Sequence, residues 1–363
     1  MFLSYWYGIL FFILLPVLCT AAFSCHIFIQ ESIEMVNRIP SYSIAIRTLG
    51  TSGEKFRSEL ESICTQTVQP ERVLVYIAEG YTRPDFTVGK EEYMWVKKGM
   101  VAQRALKYDE IASDCILMLD DDVELSPDSA ERMLKALEEY GADAVGADVF
   151  RNHKMSFLVK VYAGVVNLVF PHRSSNWAFK VRRNGSFSYN NLPSKHFYWS
   201  QSCGGPVVLF RKESFLKFQP ENELWLESLG FPYGEDQLES YKFFLNGGRL
   251  GVLYNAGVTN LDAKSSSGAF RKSAEHIYVR TKASLMIWYR SLYRNGKDTA
   301  ASRFAAALAF GFKAFWLSFV MCGAAVVKWD SRFISSYFKG LRDGWKAVHS
   351  PEFKSLPPYF IEK

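Results

Sequence analysis

Short apolar segments alternate with amphipathic segments over the first half of the chain, and this alternation is the strongest constraint on its fold. The apolar segments are SIAI (43–46), RVLVYI (72–77), CILML (115–119) and DAVGA (143–147). Helical spacing predicts a helix capped by Thr51 and Glu54, a second over Gly99–Ala112, and a third that opens at Ser126 and Pro127. Strands that alternate with helices predict an α/β fold with a mostly parallel sheet.

Three consecutive aspartates end the apolar run ILMLDDDVEL (116–125). Asp120, Asp121 and Asp122 repel one another, so something must offset their charge. Ligands of parallel α/β sheets bind at the carboxyl ends of the strands, and Asp-x-Asp suits a hard divalent ion such as Mg²⁺ or Mn²⁺ that bridges to a diphosphate. The alternative is that one aspartate caps the next helix while the others are solvated.

A second acidic pair stands in FPYGEDQLESYKFFLNGG (231–248). Glu235 and Asp236 open a predicted helix that ends at Gly247 and Gly248. Acidic residues at a helix N-terminus also complement the helix dipole, so the pair alone does not identify a site.

Taken together, these motifs resemble the family 2 glycosyltransferases, which are inverting enzymes of the GT-A fold. The resemblance covers most of residues 40–265 and rests on SIAIRTLG, KKGMVAQRAL, LDDDV, CGGPVVLFRKESF and GED in that order. It implies a Rossmann-like GT-A sheet and metal-dependent transfer of a hexosyl or deoxyhexosyl group from a nucleotide-diphosphate donor to a glycan or lipid-linked hydroxyl. The C-terminal segment is more loosely similar to bacterial rhamnosyltransferase-like enzymes of surface-polysaccharide synthesis.

The resemblance also implies roles for individual residues. The expected donor-binding residues are Thr48, Glu79, Arg104, Asp120 and Asp121. Asp122, together with Asp120, is expected to hold Mn²⁺ or Mg²⁺. Asp236 is expected to be the catalytic base, with Glu235 beside it as a second catalytic residue.

The chain departs from the family pattern after the second acidic pair. Many relatives have a histidine metal ligand in the following strand, whereas this chain reads GVTNLDAK (257–264). Asn260 or Asp262 is expected to substitute, or the metal has fewer protein ligands. Three nearby cations suit either a lid over the diphosphate or plain solvent exposure: Lys264, Arg271 and Lys272.

The first 34 residues are a candidate transmembrane helix. Between Phe2 and Gln30 there is no charged Lys, Arg, Asp or Glu, and this run exceeds the roughly 20 residues that span a bilayer. A secretory signal lacks support because the basic n-region is missing. A start at Met35 is a third interpretation.

A second apolar segment, 304–327, is interrupted only by Lys313 and is flanked by basic residues. Excess basic charge beside an apolar segment favours the cytoplasmic face of an anionic membrane, and Lys313 favours a helix in the interface over a spanning one. A buried core helix is the alternative. We expect a membrane-associated protein with its catalytic domain on the cytoplasmic side, and six cysteines without a CxxC pair favour a reducing compartment.

The predicted division of the chain follows these features. It comprises the apolar segment 1–34, a nucleotide-sugar-binding half 39–150, an acceptor and catalytic half 151–265, and a membrane-associating region 266–363. Between Asp148 and Glu213 there are ten Lys or Arg and no carboxylate. This basic, aromatic-rich stretch predicts contact with a sugar, a lipid-linked diphosphate or a membrane surface, and no nucleic-acid module accompanies it.

Two other classes of protein fit parts of the sequence. A haloacid-dehalogenase-type phosphotransferase would use Asp120 as nucleophile and Asp122 as acid/base, but its motif normally opens the domain and a clear later GDxxxD is missing. A non-catalytic membrane-bound scaffold with the same fold is the other alternative.

Overall fold

The computed structural model describes residues 39–149, 157, 161, 164–166, 176–229, 233–261 and 273–361. The first elements are β1 (Tyr42–Thr48), α1 (Glu54–Cys64), β2 (Val73–Ala78), β3 (Glu91–Val96), β4 (Cys115–Asp120), β5 (Val123–Leu125), α2 (Ser129–Glu139) and β6 (Ala144–Ala147). They are followed by β7 (Phe179–Val181), β8 (Phe187–Tyr189), β9 (Phe197–Trp199), β10 (Val207–Arg211), α3 (Lys212–Lys217) and a 3₁₀ helix (Pro220–Leu229). The last are α4 (Glu235–Leu245), β11 (Leu250–Leu253), β12 (Val258–Asn260), α5 (Ala274–Trp288), a π-helix (Tyr289–Tyr293), α6 (Ala300–Lys328), α7 (Arg332–Val348) and α8 (Pro351–Lys354).

One sheet of eight strands, drawn from residues 42–253, organises the fold in the order β3-β2-β1-β4-β10-β6-β11-β9. The strands run parallel except β10 and β9, which are antiparallel to their neighbours. Every residue of β2 is buried, as is nearly all of β1, because helices or loops cover both faces of a parallel sheet. The predicted α/β, Rossmann-like GT-A fold is confirmed.

Two helix starts were predicted at the wrong residues. Helix α1 begins at Glu54 after Gly53, which has a φ of 54° and provides no side-chain cap, so Thr51 lies outside the helix. Helix α2 begins at Ser129 instead of Ser126. Ser126 is held in a β5–β12 ribbon instead, where its N–H donates to the carbonyl oxygen of Gly257 at 2.8 Å.

The helix predicted over 99–112 is a series of turns. Its first N–H groups are satisfied by a distant side chain, since Glu227 Oε1 accepts bonds from the backbone of Val101 (2.7 Å) and Ala102 (3.1 Å). Tyr108 has a φ of 53°, a value that a helix does not allow. A tertiary contact thus replaced the local helical pattern.

A group of C-terminal helices packs against the 3₁₀ helix and α4. Helices α5 and α7 lie close together because Gly340 and Gly344 face the backbone of α5; a Cβ at Gly340 would lie 2.8 Å from the carbonyl oxygen of Tyr278. Several sequence predictions lie outside the described residues: the segment 1–34, Met35, most of 151–175, Asp262, Lys264, Arg271 and Lys272.

A buried ionic triad joins these helices to the catalytic half. Glu223 in the 3₁₀ helix is fully buried and accepts a hydrogen bond at 2.5 Å from Arg290 Nε in the π-helix. Its other oxygen lies 3.0 Å from Nζ of Lys242 in α4, which is also fully buried. Helix α4 is therefore anchored to the C-terminal region through charges that no water reaches.

Candidate active site

The acidic motifs meet at the carboxyl edge of the parallel strands. Strand β4 pairs with β1 in a register that sets Arg47 opposite Asp120. The N–H of Asp120 donates at 3.0 Å to the carbonyl oxygen of Pro206, just before β10. Helix α4 points its N-terminus, with Asp236, at the same edge, because Arg104 contacts Asp236 and Asp120 together.

Two arginines hold Asp120. Arg47 Nε donates to Oδ1 at 2.5 Å and its Nη2 donates to Oδ2 at 3.3 Å, while Arg104 Nη2 donates to Oδ1 at 2.7 Å. Burial alone would raise the pKa of Asp120, but the two guanidinium groups lower it to about 2. Asp120 is therefore ionised, and each of its oxygens already accepts a hydrogen bond from a cation. Its predicted role as a metal ligand gains no support from these partners.

Arg104 also holds the candidate base. Its Nη1 donates to Oδ1 of Asp236 at 2.9 Å, and its Nη2 donates to the carbonyl oxygen of Gly205. Gly205 must be glycine here, since a Cβ would lie 1.8 Å from Asp236 Oδ1 and 2.6 Å from Arg104 Nη1. One buried guanidinium thus ties the aspartate that ends β4 to the aspartate in the first turn of α4.

The two acids of the GED motif occupy different environments. Asp236 is partly exposed, with a side chain 34% accessible, whereas Glu235 is only 5% exposed. Burial, followed by repulsion from Asp236, raises the pKa of Glu235 to about 8, while Arg47, whose Nη2 lies 3.8 Å from Oε1, opposes the shift. A raised pKa favours the protonated form of Glu235, which cannot accept a proton, so Asp236 is the better placed of the two and its role as the base stays a prediction.

Asp121 and Asp122 continue the loop beyond β4. The hydroxyl of Thr48 donates to Asp121 Oδ2 and accepts the N–H of Gly50 at 2.7 Å. Burial, more than any other cause, raises the pKa of Asp121. The carbonyl oxygen of Asp122 accepts the N–H of Leu261 at 2.7 Å, which draws β12 alongside the loop.

The surroundings of Asp122 fit a metal that is shared with a substrate. Asn260 pairs with Val123 in the β5–β12 ribbon, so the position that the sequence suggested as a replacement for histidine does lie beside the aspartate loop. Among the described residues no cluster of three His, Cys, Asp or Glu side chains forms a complete metal cage. Mg²⁺ bound through one or two carboxylates and substrate phosphates does not require one.

Two residues of the site, Arg47 and Glu59, were not predicted from the sequence. Arg47 is the next-to-last residue of β1 and directly follows its apolar run. Glu59 lies fully buried in α1 near Asp121, and burial first, then Asp121, raises its pKa well above the usual range. An acid placed three residues after Phe56 and just before Leu60, on an apolar helical face, was a readable signal for it. In contrast, Glu79 is exposed in the turn after β2, and its role at the donor base stays a prediction.

Comparison with known proteins supports the same class. Residues 95–204, less than a third of the chain, match the model of glycosyl transferase family 2. The resemblance drawn from the motifs is thereby confirmed, and the class of activity that the match supports is glycosyl transfer. The matched range includes Arg104 and the three aspartates.

The comparisons with solved structures and with curated sequences add one distant structural similarity. A crystal structure of residues 1–349 of S. aureus TarS in complex with UDP-GlcNAc is similar at 13% identity, over 87% of this chain and 83% of that one, with a TM-score of 0.47. No match was found among curated protein sequences.

Proposed function

We propose that this chain is a metal-dependent inverting glycosyltransferase that moves a sugar from a nucleotide diphosphate to a hydroxyl of a glycan or lipid-linked acceptor, in the synthesis of a cell-surface polysaccharide. The observation that carries the proposal is the double contact of Arg104 with Asp120 and Asp236. It holds a donor-side aspartate and a candidate base in one rigid arrangement, which catalysis by positioning requires.

The residues divide the chemistry between them. Asp122, with Asn260 beside its loop, would hold the divalent cation, which when bound neutralises charge on the leaving diphosphate. Thr48 orients Asp121 through its hydroxyl. Asp236 accepts the proton of the acceptor hydroxyl as it attacks. Attack from the face opposite the leaving group inverts the anomeric carbon in one displacement.

The phosphotransferase alternative has less support. It needs an oxygen of Asp120 to attack phosphorus, but both oxygens are engaged by Arg47 and Arg104. Charge pairing that lowers the pKa of this carboxylate also makes it a weaker nucleophile.

The donor site is tested by calorimetric titration of the detergent-solubilised protein with UDP, GDP, dTDP and CMP. We expect one nucleotide to bind in the presence of Mn²⁺ or Mg²⁺, and binding to be lost with chelator and in Asp122→Ala. Glu124→Ala, which removes an exposed carboxylate two residues further on, is the matched control and should bind like wild type. Binding that survives both chelator and Asp122→Ala would refute the metal role, and no binding at all would refute the donor site.

We also propose that the protein lies on the membrane through α6, on the cytoplasmic side where nucleotide sugars are made. Helix α6 is long and apolar enough to cross a bilayer, and only 6% of its most apolar 18-residue stretch is buried in the protein. One stripe along it is exposed, at Phe304, Leu308, Phe315, Phe319 and Val326. Its spacing of four and seven residues defines a single helix face.

The other face of α6 is fixed to the protein, which supports an interfacial helix instead of a spanning one. At the middle of the helix, Lys313 Nζ donates to the carbonyl oxygen of Asn184 at 3.2 Å. The hydroxyl of Tyr337 donates to the carbonyl oxygen of Ala314 at 2.7 Å. Helix α7 adds exposed Phe338 and Trp345 among basic residues. Apolar and basic groups together suit an anionic membrane surface.

Vesicle flotation tests this attachment. Wild type should float with vesicles that contain phosphatidylglycerol, and the double substitution Phe315→Ser with Phe319→Ser should lower the partition coefficient about 10²-fold or more, since the two buried aromatic side chains together contribute about 3–6 kcal/mol. Leu192→Ser, which removes an exposed apolar side chain in the catalytic half, is the control. Equal flotation of the double variant and wild type would refute the role of α6.

A further inference from the structure

A tight turn at the tip of the β7–β8 hairpin accepts hydrogen bonds from side chains of three different helices. The carbonyl oxygens of residues 183–185 accept, in order, hydrogen bonds from Trp288 Nε1 (2.9 Å), Lys313 Nζ (3.2 Å) and Gln237 Nε2 (3.1 Å). Trp288 ends α5, Lys313 is in the middle of α6, and Gln237 follows the candidate base in α4. The turn therefore lies where the catalytic helix meets the membrane-facing helix.

The same junction collects positive charge. Lys313 is mostly buried, and the charged group that acts on it among the described residues is Arg280 of α5, another cation. Burial first, and then Arg280, lowers the pKa of Lys313 to about 8, so it remains largely charged at neutral pH. The guanidinium carbon of Arg280 lies 5.1 Å from the ring centre of Tyr233, three residues before Asp236. Arg183 is exposed in the turn itself.

Lys313 is partly buried whereas Arg280 is exposed, and the repulsion between these two cations raises the free energy of the folded protein unless an anion offsets it. Within the described part of the chain, no carboxylate affects the pKa of Lys313. The backbone contact with Asn184 uses one of the three hydrogens of the ammonium group, which leaves donors for a ligand. An anionic group of a ligand would both neutralise the pair and accept these hydrogen bonds.

The position of the pair defines what such a ligand looks like. On one side is the first turn of α4 with Asp236, reached through Tyr233 and Gln237. On the other is α6, whose opposite face is apolar and exposed. A ligand that satisfies both sides has an anion between a hydroxyl-bearing group and a hydrocarbon chain.

We propose that Lys313 and Arg280 bind the phosphate of a lipid-linked acceptor, and that the acceptor hydroxyl reaches Asp236 while the lipid chain enters the membrane beside α6. The proposal rests on the glycosyl transfer proposed above and adds the chemical class of the acceptor. It also gives a role to the acid-free, basic stretch of the sequence, which supplies the turn at 182–185 that holds the lysine in place.

The test is equilibrium binding of farnesyl diphosphate to the full-length protein in detergent, with chelator present so that a metal-dependent donor site does not contribute. We expect Lys313→Gln and Arg280→Gln each to weaken binding about tenfold or more, because charge-assisted hydrogen bonds to phosphate are lost. Glutamine at 313 can still donate to Asn184. Lys313→Arg should retain binding, and Lys217→Gln, which removes an exposed cation paired with Glu213, should bind like wild type.

Three outcomes would overturn the proposal. Unchanged farnesyl diphosphate binding in Lys313→Gln would show that the lysine is structural only. Inorganic pyrophosphate bound as tightly as farnesyl diphosphate would indicate a site for free phosphate. If Lys313→Gln and Arg280→Gln floated less well with phosphatidylglycerol vesicles but still bound farnesyl diphosphate, the two cations would bind the membrane surface and not an acceptor. Nucleotide binding with Mn²⁺, measured on the same samples, reports separately on the proposed function.

Discussion

Asp236→Asn is expected to lower the rate of sugar transfer about 10²–10⁴-fold, the usual contribution of a positioned general base. The substitution keeps the shape of the side chain, and the amide oxygen still accepts the hydrogen bond that Arg104 Nη1 gives to Oδ1 at 2.9 Å. The loss therefore comes from basicity and not from a collapse of the site. The measurement is transfer from the nucleotide sugar that calorimetry selects, with membrane extract as the source of acceptor.

The neighbouring acid supplies a matched control. Glu235 is buried, and burial raises its pKa to about 8, which favours the neutral form at pH 7, so Glu235→Gln replaces that form with an isosteric neutral amide. We expect this variant to retain transfer within about threefold at pH 7, since the charge of the site is unchanged. Nucleotide binding should be intact in both variants. Equal losses in the two would contradict the assignment of the base to Asp236 alone.

The largest expected effect on stability is at Glu223. Glu223→Ala leaves Lys242 and Arg290 buried without their shared counter-ion, and removing one partner of a buried ion network costs about 3–5 kcal/mol. Burial already lowers the pKa of Lys242, and the contact with Glu223 opposes that shift. The free energy of unfolding, from urea titration followed by tryptophan fluorescence, should fall by this amount.

Glu221→Ala is the control for this substitution, because Glu221 is an exposed acid in the same 3₁₀ helix. Its effect on unfolding should be small, as for most surface positions. If Glu223→Ala were no more destabilising than Glu221→Ala, the triad would not hold α4 to the C-terminal helices. Since α4 carries Asp236, a loss of stability in Glu223→Ala but not in Glu221→Ala would also identify a structural link between the C-terminal helices and the proposed base.

The proposed interfacial position of α6 illustrates the limit of sequence reasoning. From the sequence, the single lysine at 313 predicted a helix that does not span the bilayer. The sequence did not show which way this lysine points. Lys313 turns inward to the carbonyl oxygen of Asn184, 129 residues earlier, so the opposite face is an uninterrupted apolar stripe. A pattern along one helix reports which residues share a face, but not what that face contacts.

By itself the sequence determined the α/β class, the strand that carries the three aspartates, and the place of these aspartates at the carboxyl end of a parallel strand. These follow from local properties, because apolar runs, turn residues and spacing act over a few positions. It did not determine helix starts where a distant group satisfies the backbone, as Glu227 does for Val101.

Only the tertiary structure decided how the charges pair. Asp120, Asp121 and Asp122 are adjacent in sequence, yet Arg47 and Arg104 hold the first and Thr48 binds the second. Glu235 and Asp236 are neighbours, yet the first is buried with a raised pKa while the second is partly exposed. Electrostatic energy depends on burial and on distances between residues far apart in the chain, and these quantities exist only once the chain has folded.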